Sequence, residues 1–194
     1  MSHRLLSALA LSLLIAACAT PSGVRAPAVH DFGPDVLASL ASPAVPLRRV
    51  EVTGPAWLAT TAMQYRLLGR TETERRSYAD NRWAAQPVQL LEQRLQRRLP
   101  ARSDSRCKLQ VKLDELIQEF AVDGTSRVRL TGIARLVGER GEDLVDGLSF
   151  DYRQTAQSVD AAGGVRASAA ASERLALAVQ TWLGSARPGL CDPG

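Results

Sequence analysis

Leu109-Gln110-Val111-Lys112-Leu113, Val128-Arg129-Leu130-Thr131-Gly132-Ile133-Ala134-Arg135-Leu136 and Leu148-Ser149-Phe150-Asp151-Tyr152 place their apolar or small residues on one parity. A period of two puts one parity on each face of a pleated strand. The three segments therefore predict an antiparallel meander with one buried face. The phase slips near Asp114 and Glu115, because Leu116 and Phe120 fall on the other parity from Val111 and Leu113. One inserted residue, a β-bulge, restores the buried face.

Working toward the N-terminus, Pro87 stands where a helix begins. Val88, Leu91, Leu95 and Leu99 follow on one face, with Arg94, Arg97 and Arg98 on the other, and Pro100 ends the run. Before it, Met63-Gln64-Tyr65-Arg66-Leu67-Leu68 and Arg75-Arg76-Ser77-Tyr78 read as a hairpin across the polar stretch 69–74. Leu47-Arg48-Arg49-Val50-Glu51-Val52 alternates as a strand that Gly54-Pro55 stops. Toward the C-terminus, Asp160-Ala161-Ala162-Gly163-Gly164 reads as a flexible break. Behind it comes an alanine-rich helix with Ala171, Leu175, Ala178 and Trp182 in one stripe. Three strands, helix, three strands, helix predicts an α+β fold. The expected form is a two-layer sandwich, a mostly antiparallel sheet with both helices on one face.

The ends of the chain set its location. Met1-Ser2-His3-Arg4 precedes a mostly apolar run from Leu5 to Ala17, short for a membrane span and suited to a signal-peptide core. Leu14-Ile15-Ala16-Ala17-Cys18 looks like a bacterial lipobox, against the alternative of an ordinary signal peptide with a chance cysteine nearby. Residues 1–17 are thus expected to leave and Cys18 to carry the acyl chains, palmitate among them. Each buried methylene contributes about 0.8 kcal/mol, so two or three chains hold the protein on the membrane. By analogy with enterobacterial lipoproteins, Ala19 in place of aspartate favours the outer membrane over the inner. Residues 18–46 are rich in Pro, Ala and Ser and read as a tether, within which Val29-His30-Asp31-Phe32-Gly33 has the alternation of a short edge strand. The folded domain is expected over 47–184, with 185–194 as a tail.

The formal net charge of +4 falls to +3 when Arg4 leaves, and it rests almost wholly on arginines interspersed with acids. That pattern does not suggest nucleic-acid binding. Of three cysteines, Cys18 is assigned to the lipid, which leaves Cys107 and Cys191. In an oxidising compartment this even pair reads as a disulfide, the alternative being two free thiols. His3 leaves with the signal and His30 lies in or beside the tether, so no histidine triad or histidine metal site can be assembled. No phosphate-cradling glycine motif, C-x-x-C spacing or calcium-loop pattern occurs. Asp114 with Glu115 and Glu142 with Asp143 are read as a strand irregularity and a hairpin turn rather than as paired catalytic carboxylates. No enzyme, cofactor or metal is expected.

Gly54-Pro55-Ala56-Trp57-Leu58, Met63-Gln64-Tyr65-Arg66, Tyr78-Ala79-Asp80-Asn81-Arg82-Trp83-Ala84 and then Pro87 with Leu90-Leu91 resemble the ABC-type transport auxiliary lipoproteins. The likeness covers nearly the whole mature chain, and the later segments Leu116-Ile117-Gln118-Glu119-Phe120 and Trp182-Leu183 agree in layout. The resemblance implies a non-catalytic auxiliary component of an intermembrane lipid transport system. Its partners would be a membrane protein with mammalian-cell-entry (MCE) domains and ABC transporter or related membrane subunits, and the lipoprotein itself would assemble as a homo-oligomeric ring. Two alternatives stand beside it, a periplasmic lipid-binding carrier and a structural lipoprotein of outer-membrane assembly. Candidate partner-binding residues are Trp57, Tyr65, Arg66, Arg82 and Trp83. Trp57 follows a Gly-Pro connection, where exposure and burial are equally expected. Trp83 before a helix start suits packing against the first turn. Tyr65 and Arg66 are neighbours on a strand, so one should face inward and the other outward.

Overall fold

A computed structural model of the chain describes residues 26–34, 45–99, 102–187 and 189–192. The signal segment, Cys18 and most of the tether lie outside them. The elements run β1 (Ala28–His30), β2 (Arg49–Thr53), a 3-10 turn (Ala56–Leu58), β3 (Ala62–Leu67), β4 (Thr71–Trp83), α1 (Pro87–Arg98), β5 (Lys108–Phe120), β6 (Ser126–Val137), β7 (Leu148–Thr155) and α2 (Ala161–Gly184). All seven strands form one sheet in the order β1-β4-β3-β5-β6-β7, with β2 also on β5. The fold is α+β.

β5 organises the sheet. Antiparallel β6 pairs with it over its whole length, from Lys108 opposite Val137 to Phe120 opposite Ser126. Its other edge is shared end to end by two parallel strands, β2 on Lys108–Lys112 and β3 on Gln118–Phe120. Gly54-Pro55 and the 3-10 turn mark the joint between those two, and the turn sinks Leu58 into the core at 2% exposure. Gly54 is required there because a Cβ would stand 2.8 Å from Cγ1 of Val88 on α1. The register of β5 shifts between Leu113 and Glu115, so Asp114 is the extra residue of the bulge. Beyond it Leu116, opposite Leu130, resumes the buried face, while Glu115, Ile117 and Glu119 turn to the other.

The meander β5-β6-β7 is antiparallel as its alternation predicts. The sheet as a whole is more mixed than that pattern implied, since β1 on β4, β2 on β5 and β3 on β5 are all parallel. The reason is the connection from β3 through β4 and α1, which returns the chain to start β5 alongside β2 rather than in a hairpin with it.

Both helices contribute to one core with the sheet. α1 supplies Leu90, Leu91 and Leu95, and Leu99 follows at its end; α2 supplies Ala171, Leu175, Val179 and Leu183. α1 opens with Pro87 in its first turn and a reciprocal capping box between Gln86 and Gln89. Three expectations about the helices need correction. Arg94 and Arg98 do not face solvent but are 3% and 2% exposed. α2 lies alongside and projects Glu173 at them: Nε of Arg98 donates to its Oε2 at 3.1 Å, and Nη1 of Arg94 lies at 3.6 Å. Arg94 also donates to the carbonyls of Phe32 (2.6 Å) and Gly33 (3.1 Å).

Second, Gly163 and Gly164 lie inside α2 rather than in a break before it. The Asp160 side chain caps the helix by accepting from the Gly163 N–H at 2.7 Å. The glycines serve close approach, Gly163 to the Ser158 carbonyl and Gly164 to the Gln118 side chain. Third, the buried stripe of α2 runs through Val179 and Leu183 instead of Ala178 and Trp182. The Trp182 indole N–H instead donates to the Asp146 carbonyl at 3.2 Å.

Cys107 at the start of β5 and Cys191 in the tail are disulfide-bonded and buried, with Cα atoms 5.2 Å apart. Parts of the predicted tether also belong to the folded body. Residues 28–30 form edge strand β1, and Phe32 and Val45 are in the core at 6% and 2% exposure.

Candidate functional site

With both helices on one face, the other face of the sheet is left to the outward parity of its strands. Along β5 that parity offers Glu115, Ile117 and Glu119. β6 offers Arg127 and Arg129, β7 offers Asp151 and Arg153, and β3 and β4 offer Gln64, Arg66 and Arg75. The side chains form a band of ion pairs across five strands. Arg75 grips Glu115 with two hydrogen bonds, 3.0 and 2.6 Å, and donates to Oε1 of Gln64 at 2.9 Å. Arg66 lies 3.7 Å from the same carboxylate. Nε of Arg127 donates to Glu119 at 2.9 Å, and Arg129 holds Asp151 at 3.3 and 3.1 Å, with Arg153 on that carboxylate at 3.4 Å.

The layering of charge decides what this face presents. The Glu115 and Glu119 side chains are 14% and 5% exposed, whereas Arg127, Arg129 and Arg153 are 41%, 36% and 54% exposed. Glu115 and Glu119 form a floor and Arg127, Arg129 and Arg153 the surface above it, with the Asp151 carboxylate, 43% exposed, set among them. Ile117, opposite Arg129 on the same face, is only 2% exposed. Arginine stems cover apolar surface in this way while their heads stay in water. The hydrogen bond from Arg129 holds Asp151 below the ordinary aspartate range and raises the guanidinium in turn. At the rim beside β3 and β4, Trp57 is half exposed, with the Arg75 guanidinium 5.6 Å from its ring centroid.

Of the residues expected to bind a partner, Trp57 and Arg66 come together on this face. Tyr65 points to the opposite face and packs on Tyr78 and Phe120, with ring centroids at 4.9 and 5.5 Å. There the Tyr78 hydroxyl donates to Gln118 at 3.0 Å, and burial pushes its pKa up. Arg82 is exposed at the far end of β4, opposite Val29 of β1. Trp83 is a correction: at 6% exposure it is a core residue, edge-on to Phe32 at 5.7 Å, and offers a partner nothing. Cys18 lies outside the described residues. Sequence reading missed Arg75, Arg127, Arg129 and Arg153, although the signal was present: Arg127-Val128-Arg129-Leu130 and Asp151-Tyr152-Arg153 set charges on the parity opposite the buried one.

Asp114 and Glu115 do not form a site together. Asp114 is the exposed bulge residue and Glu115 is committed to Arg75. Glu142 sits in the connection between β6 and β7, where its side chain lies over Gly138 and accepts from the Arg140 N–H at 3.1 Å.

No family model matches the chain, nor does any curated protein. Solved structures do. The crystal structure of protein XCC0632 from Xanthomonas campestris, of family-model DUF330, superposes with a TM-score of 0.65 at 18% identity, covering 79% of this chain and 93% of that one. A crystal structure of an uncharacterized protein gives 0.61 at 16% identity, over 82% and 99%. The likeness is one of fold. Nearly the full length of each of those two chains is matched, so the fold is shared over most of this chain.

Proposed function

We propose that this protein is a lipid-anchored, periplasm-facing lipoprotein that acts as a non-catalytic auxiliary component of an ABC-type, MCE-protein lipid transport system. Its lipobox cysteine, Cys18, would hold it on the membrane, the outer one by the Ala19 analogy, and the disulfide between Cys107 and Cys191 suits an oxidising compartment. The observation that carries an interaction role is the open sheet face. Its carboxylates are consumed in ion pairs, which suits docking rather than acid-base chemistry. The transport assignment rests on the resemblance carried by Met63-Gln64-Tyr65-Arg66 and Tyr78-Ala79-Asp80-Asn81-Arg82-Trp83-Ala84.

An extended chain gains about 3.3 Å per residue, so the stretch from Cys18 to the start of β1 at Ala28 cannot bridge the envelope unaided. A partner projecting from the opposite membrane is therefore part of the proposal, and a homo-oligomeric ring would give it a collar to enter. Co-purification from detergent extracts tests this. Recovery of an MCE-domain protein with the tagged lipoprotein supports the assignment, and reproducible failure with both proteins expressed refutes it.

A further inference from the structure

We infer that the helix-free face of the sheet, from Trp57 across to Arg153, is a docking surface for an acidic segment of a protein partner. The inference names the surface and the partner chemistry for the interaction role proposed above and to that extent rests on it. Five guanidiniums on the face (Arg66, Arg75, Arg127, Arg129, Arg153) meet three carboxylates (Glu115, Glu119, Asp151). Two of the three are sunk beneath the arginines, so what a partner meets is positive. Each guanidinium carries five N–H donors in a planar fork. The Arg129 pairing with Asp151 uses Nε and Nη2. Donors therefore remain for an incoming carboxylate, and the existing pair holds the fork in a fixed orientation. Preset geometry of this kind suits a specific carboxylate array, because little side-chain freedom is left to lose on binding.

The class of partner follows from the same features. A face built to lie on lipid headgroups presents long flexible cations around protruding apolar side chains. Here the cations are arginines locked in pairs, and Ile117, at the middle of the face, is buried. The half-exposed indole of Trp57 over Arg75 supplies an aromatic anchor at the rim, and Trp and Arg are the residue types that dominate binding energy at protein interfaces.

The test uses the full lipidated chain in phosphatidylcholine nanodiscs, titrated at low salt with a fluorescein-labelled oligoglutamate peptide and read by anisotropy. Binding is expected, and the double variant Arg129→Gln/Arg153→Gln and the single variant Trp57→Ala should each weaken it about tenfold. Arg166→Gln on the helix layer should leave it unchanged. Absence of binding, or binding that the face variants do not alter, overturns the inference. So does a blue shift of tryptophan fluorescence in phosphatidylglycerol nanodiscs that both Trp57→Ala and the arginine variants abolish, since the face would then lie on anionic headgroups. The two readings fail separately. Co-purification of an MCE-domain protein that survives the double variant removes this face and keeps the transport role. Face-dependent peptide binding without such co-purification does the reverse.

Discussion

Gly164→Ala sets two well-known magnitudes against each other. By helix propensity alone, alanine in place of glycine inside α2 should stabilise by about 1 kcal/mol. The position does not allow it: a Cβ there would overlap Oε1 of Gln118 and stand 2.7 Å from its Cδ. The end of a glutamine usually gives way, but this one is 4% exposed and tied on three sides. Its Oε1 accepts from the Tyr78 hydroxyl at 3.0 Å, and its Nε2 donates to Oγ of Ser126 at 3.0 Å and to the Asp160 carbonyl at 3.1 Å. Moving the amide breaks those bonds at about 1 kcal/mol each, roughly 3 kcal/mol in all, so the variant should be about 2 kcal/mol less stable than the parent. For a chain of this size that is roughly 4–8 °C in melting temperature. Urea unfolding followed by far-UV circular dichroism measures it. Gly184→Ala, where no atom lies within 4 Å of the added Cβ, is the control and should be neutral or slightly stabilising. A Gly164→Ala protein as stable as its parent, with Tyr78 still hydrogen-bonded by NMR, would refute the packing argument.

Other predictions concern the staple, the face and acid stability. The disulfide closes a sequence separation of 84 residues. Cys107→Ala/Cys191→Ala should therefore lose about 4 to 5 kcal/mol by the chain-entropy estimate, and an unchanged urea midpoint would contradict it. Glu115→Gln leaves Arg75 and Arg66 facing an uncharged group on a half-buried surface and should destabilise by about 1–3 kcal/mol in the same assay. Trp57→Ala, by contrast, should change stability by less than about 0.5 kcal/mol, because the ring is half exposed. Asp160 is held below its ordinary pKa first by the Ser158 hydroxyl and then by the Gly163 N–H. Such a group contributes stability that is fully present above its unfolded pKa and is lost as pH falls through the lower folded value. Asp160→Asn keeps a capping oxygen but should remove this residue's share of the stability loss on acidification below about pH 4, as read by midpoints across that range.

What the sequence disclosed is what depends on near neighbours along the chain. Alternation in β5, β6 and β7 is a local property, and so is the parity slip that the bulge at Asp114 resolves. Pro87 and the leucines of α1 are likewise self-sufficient signals. What stayed hidden is settled by residues far apart. Arg94 and Arg98 look like a solvent face until Glu173, on the second helix, is brought against them. Gly163-Gly164 reads as a break until Asp160 caps the turn and Gln118 fills the space a side chain would need. The parallel placement of β2 and β3 along one edge of β5 follows from a crossover, which no periodicity encodes. The candidate site was half legible for the same reason. Trp57 and Arg66 stood out as residue types, but the band they join required knowing which face of β6 and β7 the helices leave open.

The most direct test of the central proposal is affinity purification of the tagged, full-length lipoprotein from detergent-solubilised envelopes of cells that also express an MCE-domain protein. Transport auxiliary function predicts that protein in the eluate at a defined ratio, and its loss when the tagged chain is denatured before the binding step. Its reproducible absence, with both proteins detected in the input, contradicts the proposal.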